Sequence, residues 1–334
     1  MALFSGYFPT PAGGQLTPSG YGKKVAFDNP YLTKDEYVAT PEATGLGITS
    51  SSQIYTSGQL DRVILRASAQ INRLCGRYFD TQTIDETTTG FTVRPYNPEL
   101  VTSIVSNPPL TSVNNMWIQV LQWFISIDVA VENSYLQVFP DTGFLKIVPL
   151  LNSAGSGTGS PIPAEILDRV PLGVLWVNYT FGFGMPQKAW PLTLVTGQTN
   201  QFQADIDNRL WAPDQQITIY NNSTSIGTSS WDLTTQKQAV TGGLTFDYTN
   251  GIVTIPNYTS GTITADFTTN QTLPFDIKEA CILLVSDIIG RAQQNPLGAT
   301  SYNILSYNIS FGDSVINRVK ELLAPYNAAT ITII

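Results

Sequence analysis

Residues 57–76 of the chain read SGQLDRVILRASAQINRLCG. The apolar residues of this stretch recur at three- and four-residue steps: Leu60, Val63, Ile64, Ala67, Ile71 and Leu74. Such spacing places them on one face of a helix, so the sequence predicts an amphipathic helix from Ser57 to Gly76. Gly76 stands where a glycine commonly closes a helix.

Four arginines flank this apolar stripe: Arg62, Arg66, Arg73 and Arg77. On an amphipathic helix they form either a solvated face or ion pairs with acids of a neighbouring subunit. Both interpretations stay open, and the second makes them candidate subunit contacts.

Further helices are predicted on both sides of a long central region. Thr33-Lys34-Asp35-Glu36 has the spacing of a capping box and predicts a short helix that ends before Pro41. Towards the C-terminus, periodicity predicts one helix from about Phe275 to Gln293 and a last helix from Asp313 to about Leu323. A polar stretch at 299–311 separates these two helices.

The central region has β-branched and aromatic residues interrupted by Gly, Pro and Asn, a pattern typical of strands and turns. Strands are predicted at 87–93, 101–105, 113–117, 125–131, 136–139, 144–148 and 174–182, with a turn at Asp141-Thr142-Gly143. A second β-rich stretch runs from Leu192 to Thr269, and its end resembles the end of the first. Residues 141–149 match 248–256, and residues 175–180 match 263–268, so a duplicated β module is a reasonable hypothesis.

The predicted fold class is α+β: a small helical frame, formed by the N- and C-terminal segments, with two inserted antiparallel β-rich modules of sandwich or barrel type. The predicted boundaries are an extended N-terminal arm at 1–30, helical parts at 31–80 and 273–326, β modules at 81–190 and 191–272, and a tail at 327–334.

The composition argues against several classes of function. The chain has 17 basic and 25 acidic residues and a net charge of −8, so tight binding to DNA is not expected. It has no histidine, which removes the commonest general base and metal ligand. No phosphate-binding or dinucleotide motif occurs. Acid pairs such as Asp205 with Asp207 could serve a glycosidase, but they are typical of turns. We therefore expect no enzyme, no cofactor and no metal site.

Cys75 and Cys281 each lie in a predicted amphipathic helix. They are interpreted as two buried thiols, and a disulfide joining the helices is the alternative. No apolar run approaches the roughly 18 residues that cross a bilayer, and the first residues lack a basic region before an apolar core. We expect a soluble protein made in a cytoplasm, with no membrane partner.

Both ends of the chain carry apolar residues that a free tail would expose. The Gly- and Pro-rich arm contains Phe4, Tyr7, Phe8, Tyr21 and Phe27, and we hypothesise that these residues are ordered against a neighbouring subunit. The tail contains Ile331, Ile333 and Ile334 within a short apolar strand pattern that a partner is expected to cover.

Several short motifs, taken in order, resemble the head-to-tail adaptor (head-tail connector) proteins of tailed bacteriophages. Those proteins commonly read Tyr-x-Thr-x-x-Glu, then an amphipathic helix with Ala-Ser, then Gly-Arg-x-Phe. Later they have Pro-x-x-Ile-Lys-x-Ala before the penultimate helix and Leu-x-x-Tyr near the end of the last one. The corresponding residues here are Tyr31 to Glu36, Ala67-Ser68, Gly76 to Phe79, Pro274 to Ala280, and Leu323 to Tyr326.

The resemblance covers residues 31–85 and 273–327, and the second β module departs from the family's usual shorter insertion. It implies a structural subunit of the virion neck, assembled in the host cytoplasm into a ring, usually of twelve copies. Such a ring docks below the portal protein, meets a tail-side neck or completion protein, and lines the channel through which genomic DNA passes without tight binding. By the same analogy, the candidate portal contacts are Pro325, Tyr326, Ile331, Ile333 and Ile334.

The alternative function is a β-rich carbohydrate-binding adhesion protein, of tail-fibre or lectin type, that stacks sugars on exposed tryptophans. The candidate residues are Trp117, Trp123, Trp176, Trp190, Trp211 and Trp231. The competing interpretation is that most of them fill the β cores. The predicted helices at both ends of the chain argue against a lectin.

Overall fold

A computed structural model of the protein describes residues 26–49, 57–89, 101–120, 123–127, 136–147, 174–232, 237–294, 301–304, 307–310 and 314–327. The fold is α+β, as predicted, and contains helices and several antiparallel sheets.

The helices lie at the two ends of the described chain. Their bounds are α1 Lys34–Val38, α2 Pro41–Gly45, α3 Ser57–Cys75, α4 Phe275–Gln294 and α5 Ser314–Leu323. The capping box at α1 is confirmed, and so is the closure of α3 by Gly76, whose φ of +69° is a conformation that glycine adopts at little cost. Helix α2 was not predicted. Pro41, taken as a breaker, is instead its first residue, where proline's missing N–H costs no hydrogen bond.

One hydrophobic core joins the two ends of the chain into the predicted helical frame. It contains Leu60, Ile64 and Ile71 of α3 together with Ile277 and Leu284 of α4, all buried. Val319 and Leu323 of α5 complete it. The frame is thus a single unit although about two hundred residues separate its halves.

The described residues of the first β module form two sheets. Its strands are β1 Gln82–Thr89, β2 Val101–Ile104, β3 Leu110–Val120, β4 Trp123–Ile127, β5 Leu136–Phe139, β6 Phe144–Ile147 and β7 Val174–Phe181. The strand orders are β1-β7-β3-β4 and β2-β6-β5. The predicted turn at 141–143 is a short 3-10 turn, Pro140–Thr142, closed by Gly143 in the left-handed region. Strand β1 starts at Gln82, five residues before the predicted start at 87, because it pairs with β7 along its whole length from Gln82 opposite Phe181.

The second β module also has two sheets. Its strands are β8 Met185–Pro191, β9 Thr193–Leu194, β10 Gln201–Gln203, β11 Ile217–Asn221, β12 Thr224–Asp232, β13 Lys237–Val240, β14 Thr245–Asp247, β15 Ile252–Thr254 and β16 Ile263–Thr269. The orders are β13-β12-β11-β16-β8 and β14-β15-β10-β9. Phe202 and Val253 of the small sheet share a core with Ile219 and Phe267 of the large one, which makes the module a sandwich.

Each described strand of the first module has a counterpart of the same connectivity in the second module, which adds β9 and β13, and this supports the duplication hypothesis. In the large sheet of each module, the last strand lies between the first strand and a middle strand: β7 between β1 and β3, and β16 between β8 and β11. In the small sheets, β6 lies between β2 and β5 as β15 lies between β10 and β14. The sequence matches also agree in facing, because Val177 and Tyr179 are buried as Ala265 and Phe267 are.

Pairing places the start of the second module before the boundary predicted at residue 191. Strand β8 pairs with β16, from Met185 opposite Thr269 to Pro191 opposite Thr264, so it belongs to the second module's large sheet. A hairpin of β17 Ser301–Ile304 and β18 Tyr307–Ser310 lies in the stretch between α4 and α5, where no strand was predicted.

Candidate functional site

Two motifs of the family resemblance meet at Glu36: Tyr-x-Thr-x-x-Glu, which contains it, and Pro-x-x-Ile-Lys-x-Ala on α4. Its Oε2 accepts the backbone N–H of Thr33 at 2.7 Å, and the Oγ of Thr33 accepts the N–H of Glu36 at 3.1 Å. Its other oxygen, Oε1, forms an ion pair with Nζ of Lys278 on α4 at 2.8 Å. One carboxylate therefore caps α1 and ties it to α4.

Tyr31 and Ser68 link the first motif to α3. The backbone N–H of Tyr31 donates to Ser68 Oγ at 3.0 Å, and the Tyr31 hydroxyl donates to Asn72 Oδ1. The same hydroxyl accepts the N–H of Phe79 at 3.2 Å. Burial, and secondarily the charge of Asp80, raises the pKa of Tyr31 well above its usual value, so the hydroxyl stays protonated and can donate.

The two cysteines are free and buried, which confirms the thiol interpretation and excludes the disulfide. Ser68 Oγ lies 3.7 Å from Cys281 Sγ. Burial raises the pKa of Cys281 to about 12 and that of Cys75 to about 11. Both remain thiols at neutral pH and pack as small apolar groups.

Arg77 and Tyr326, predicted as a subunit contact and a portal contact, lie together, each partly buried, against the frame's core. The Arg77 guanidinium lies 4.8 Å from the centre of the Phe79 ring and 5.8 Å from that of Tyr326. The two rings meet edge to face at 5.8 Å. The Tyr326 hydroxyl donates to Asp276 Oδ2 at 3.4 Å. Burial lowers the pKa of Arg77, which reflects how far its charge is withdrawn from water.

The remaining site predictions fall into two groups. Arg62, Arg66 and Arg73 are exposed on α3, and Pro325 is exposed in the 3-10 turn Ala324–Tyr326 after α5. Phe4, Tyr7, Phe8, Tyr21, Ile331, Ile333 and Ile334 lie outside the described residues. Phe27, predicted to be ordered against a neighbour, stacks within the chain on Trp231, with ring centres 5.8 Å apart.

A buried polar junction, which no sequence signal indicated, lies where the arm, the frame and both modules meet. Asp80 is fully buried, and its Oδ2 accepts from Asn29 Nδ2 at 2.5 Å and from Gln82 Nε2 at 2.8 Å.

Two further hydrogen bonds of this junction join the modules. Asp214 of the second module accepts the N–H of Thr83 at 2.6 Å. Asn270 accepts the N–H of Thr81 at 2.8 Å. These contacts fix the modules against each other and against residues 27–29.

Burial raises the pKa of Asp80 to about 7, although the hydrogen bonds from Asn29 and Gln82 oppose the shift. Asp80 Oδ1 is buried and has no hydrogen-bond partner among the described residues. A protonated carboxyl avoids the cost of burying the charge, which is the physical reason for the shift.

A cleft of about 390 Å³ runs beside this junction, between the two modules. Uncharged residues line it: Thr81, Thr83, Thr111, Ser112, Asn114, Thr180, Gly184, Pro186, Gln215 and Thr268. No aromatic ring lines the cleft, and none of the four tryptophans with described side chains is exposed. Trp211 is buried, Trp190 packs against the second module's core, and Trp231 stacks on Phe27. The side chains of Trp117 and Trp123 lie outside the described part.

Within the described ranges, no helix has both the length and the hydropathy needed to cross a membrane. The same ranges contain no cluster of three or more Cys, Asp or Glu residues arranged to hold a metal ion.

No known family model matches the chain, and no curated protein matches it. Among solved structures, the chain is similar to one described as the neck of an empty GTA particle computed with C6 symmetry. The identity is 11% and the TM-score is 0.34, over 89% of this chain and 95% of that one.

Proposed function

We propose that this chain is a structural, non-catalytic head-to-tail adaptor subunit in the neck of a tailed phage virion. It forms a ring below the portal protein, joins the capsid to the tail and surrounds the path of the genomic DNA.

The observation that carries the proposal is the pairing in space of the motifs that resemble the family. Glu36 of the Tyr-x-Thr-x-x-Glu motif pairs with Lys278 of the Pro-x-x-Ile-Lys-x-Ala motif. Arg77 and Phe79 of the Gly-Arg-x-Phe motif pack on Tyr326 of the Leu-x-x-Tyr motif. If the motifs serve to maintain one helical frame, motifs far apart in the sequence are expected to contact each other. The motif residues named here do so, and they hold the two ends of the described chain together.

The charge distribution supports the same proposal. A net charge of −8 gives no general attraction to phosphates, and each Lys or Arg that did bind a phosphate would add salt-dependent affinity. Weak binding suits a channel through which DNA must slide. The C-terminal tail follows directly from Tyr326, which packs against the frame's core. By the family resemblance, we assign the portal contact to this tail.

The test is sedimentation of the purified chain with and without portal rings of the same phage. We expect a portal-dependent shift to a stoichiometric ring complex. The variant I331S/I333S/I334S should lose it, while T330S/T332S in the same segment should keep it, because the first removes three large aliphatic side chains and the second only two methyl groups. Tyr326 is left intact in both, since it packs against the frame's core.

Two outcomes separate the tail contact from the adaptor assignment. Equal portal binding by both tail variants would remove the tail from the interface but leave the adaptor assignment in place. Failure of the wild-type chain to associate with portal at any salt concentration would contradict the adaptor assignment. A glycan-binding screen with the whole chain would then test the carbohydrate alternative.

A further inference from the structure

Three arginines of α3 form a narrow stripe on its solvent face. At 100° per residue, Arg62, Arg66 and Arg73 lie within about 40° of each other around the helix axis, opposite the buried Leu60, Ile64 and Ile71. All three arginines are exposed. Leu65, which is 39% exposed, lies beside the stripe. We call these four residues the arginine stripe.

The arginine stripe has no electrostatic partner within the described part of the chain. The other arginines of the helices and the second module are paired: Arg209 with Asp35, Arg291 with Asp287, and Arg318 with Glu279. Arg62, Arg66 and Arg73 make no such contact. Three unpaired cations on one helix face of a chain with net charge −8 contribute little to folding. They are suited to an external anion.

An acidic surface of the same chain lies on another side of α3. Asp205, Asp207 and Asp247 are exposed on the second module, and Asp35 on α1 is joined to that module through its ion pair with Arg209. Ile206, between the first two, is 48% exposed. We call these five residues the acidic patch. Its field reaches α3, because Asp247 and Asp35 add to burial in raising the pKa of Asp61, against the opposing charge of Lys34.

The two surfaces are complementary in charge and lie towards different sides of α3. Each combines several charges of one sign with one exposed aliphatic side chain, Leu65 or Ile206. Asp61, which marks the side of α3 nearest the acidic patch, lies about 120° around the helix axis from the centre of the arginine stripe. Two complementary surfaces on different sides of one subunit produce head-to-tail contacts, which close into a ring when the rotation allows.

We propose that the arginine stripe of one subunit docks on the acidic patch of a second copy of the same chain. This contact rests on the proposed ring function and names the surfaces through which neighbouring subunits meet. Leu65 and Ile206 lie inside the contact, and the charges around them set its register. The contact weakens as salt rises, because its charges are only partly withdrawn from water.

The experiment is a charge-reversal series assembled on portal rings and measured by sedimentation. R62E/R66E should lower the yield of ring complex by about tenfold or more, and D205K/D207K should do the same, since each puts like charges opposite each other. Combining all four substitutions should restore assembly. K188E/K237E and E42K/D141K are matched controls, because they reverse exposed charges elsewhere and should assemble like the wild type.

Circular dichroism and thermal melting establish that each variant is folded before its assembly is scored. Wild-type assembly with no effect of either reversal would overturn the contact and leave the ring function standing. Loss in both two-site variants without recovery in the four-site variant would also overturn it, since the surfaces then do not face each other. A wild-type chain that shows no self-association, alone or with portal, would overturn both the contact and the ring function.

Discussion

Single residues of the frame have more than one structural role. Glu36 completes a capping box and also forms an ion pair with Lys278, and both side chains of the pair are less than one-fifth exposed. The loss of this carboxylate therefore removes a helix cap and leaves a largely buried ammonium without its partner.

We expect Glu36→Gln to lower the free energy of unfolding by about 1–3 kcal/mol, the sum of a weakened cap and a broken, partly buried pair. Urea unfolding followed by circular dichroism measures the change. The matched control is Glu42→Gln, at an exposed first-turn position of α2, which should change stability by less than about 0.5 kcal/mol. Equal effects of the two substitutions would contradict the role given to Glu36.

Asp80 predicts a pH dependence of stability whose sign is unusual for a carboxylate. Its pKa in the folded protein, about 7, is above the usual aspartate value of 3.8, so the folded state binds the proton more tightly than the unfolded state. The stability contributed by protonated Asp80 is therefore present below about pH 4 and is lost as pH rises through about 7.

The variant Asp80→Asn keeps acceptor and donor groups of similar shape but cannot ionise. We expect its melting temperature to fall less than that of the wild type between pH 4 and pH 8, with the largest gain over wild type at pH 8. Asp141→Asn, which changes an exposed carboxylate, should follow the wild-type curve. Parallel curves for Asp80→Asn and the wild type would show that Asp80 is already ionised in the folded protein across this range.

At the scale of elements, local signals were predictable and tertiary pairings were not. The capping box at Thr33 and Glu36 and the closing Gly76 act within a few residues, so sequence spacing was sufficient to place α1 and α3. Strand β8 was missed because Pro186 and Pro191 are typical breakers. Both prolines are tolerated because β8 is the edge strand of its sheet, where one side of the ladder needs no donors.

The sequence identified the arginines beside the α3 stripe but did not show which of them pack within the chain. The sequence indicated that Arg62, Arg66, Arg73 and Arg77 flank a helix stripe, and three of them are exposed. Arg77 lies beyond the end of α3, where its direction depends on Phe79 and Tyr326, residues far apart in the chain. The junction at Asp80 depends on burial by three separate segments, for which no local pattern exists.

The connection between β7 and β8 requires glycine at residue 182. Its φ is +107°, and a Cβ at that position would lie 2.4 Å from the backbone oxygen of Asp80. We expect Gly182→Ala to destabilise the protein by about 2 kcal/mol or more through backbone strain and this clash. Gly58→Ala, at an open position in the first turn of α3, should be neutral or slightly stabilising. Thermal unfolding of both variants makes the comparison, and similar melting temperatures would contradict the strain argument.

At the scale of the whole molecule, the acidic balance predicts poor retention of nucleic acid. We expect duplex DNA to bind the assembled protein more weakly than about micromolar at physiological salt, because few phosphates can be neutralised. Fluorescence anisotropy across a salt series measures this affinity. A submicromolar affinity with a steep salt dependence would contradict the proposal of a channel that releases DNA freely.

In each β module, the first and last strands pair, so the module's two ends lie next to each other. Gln82 lies opposite Phe181 in the first module, and Met185 lies opposite Thr269 in the second. Each module is therefore connected to the rest of the chain through two neighbouring, paired strands. A single in-frame deletion of residues 185–269 would leave the remaining ends within reach of a short turn. In evolutionary terms, the chain could gain or lose a whole module in one genetic event while α3 and α4 keep their spacing.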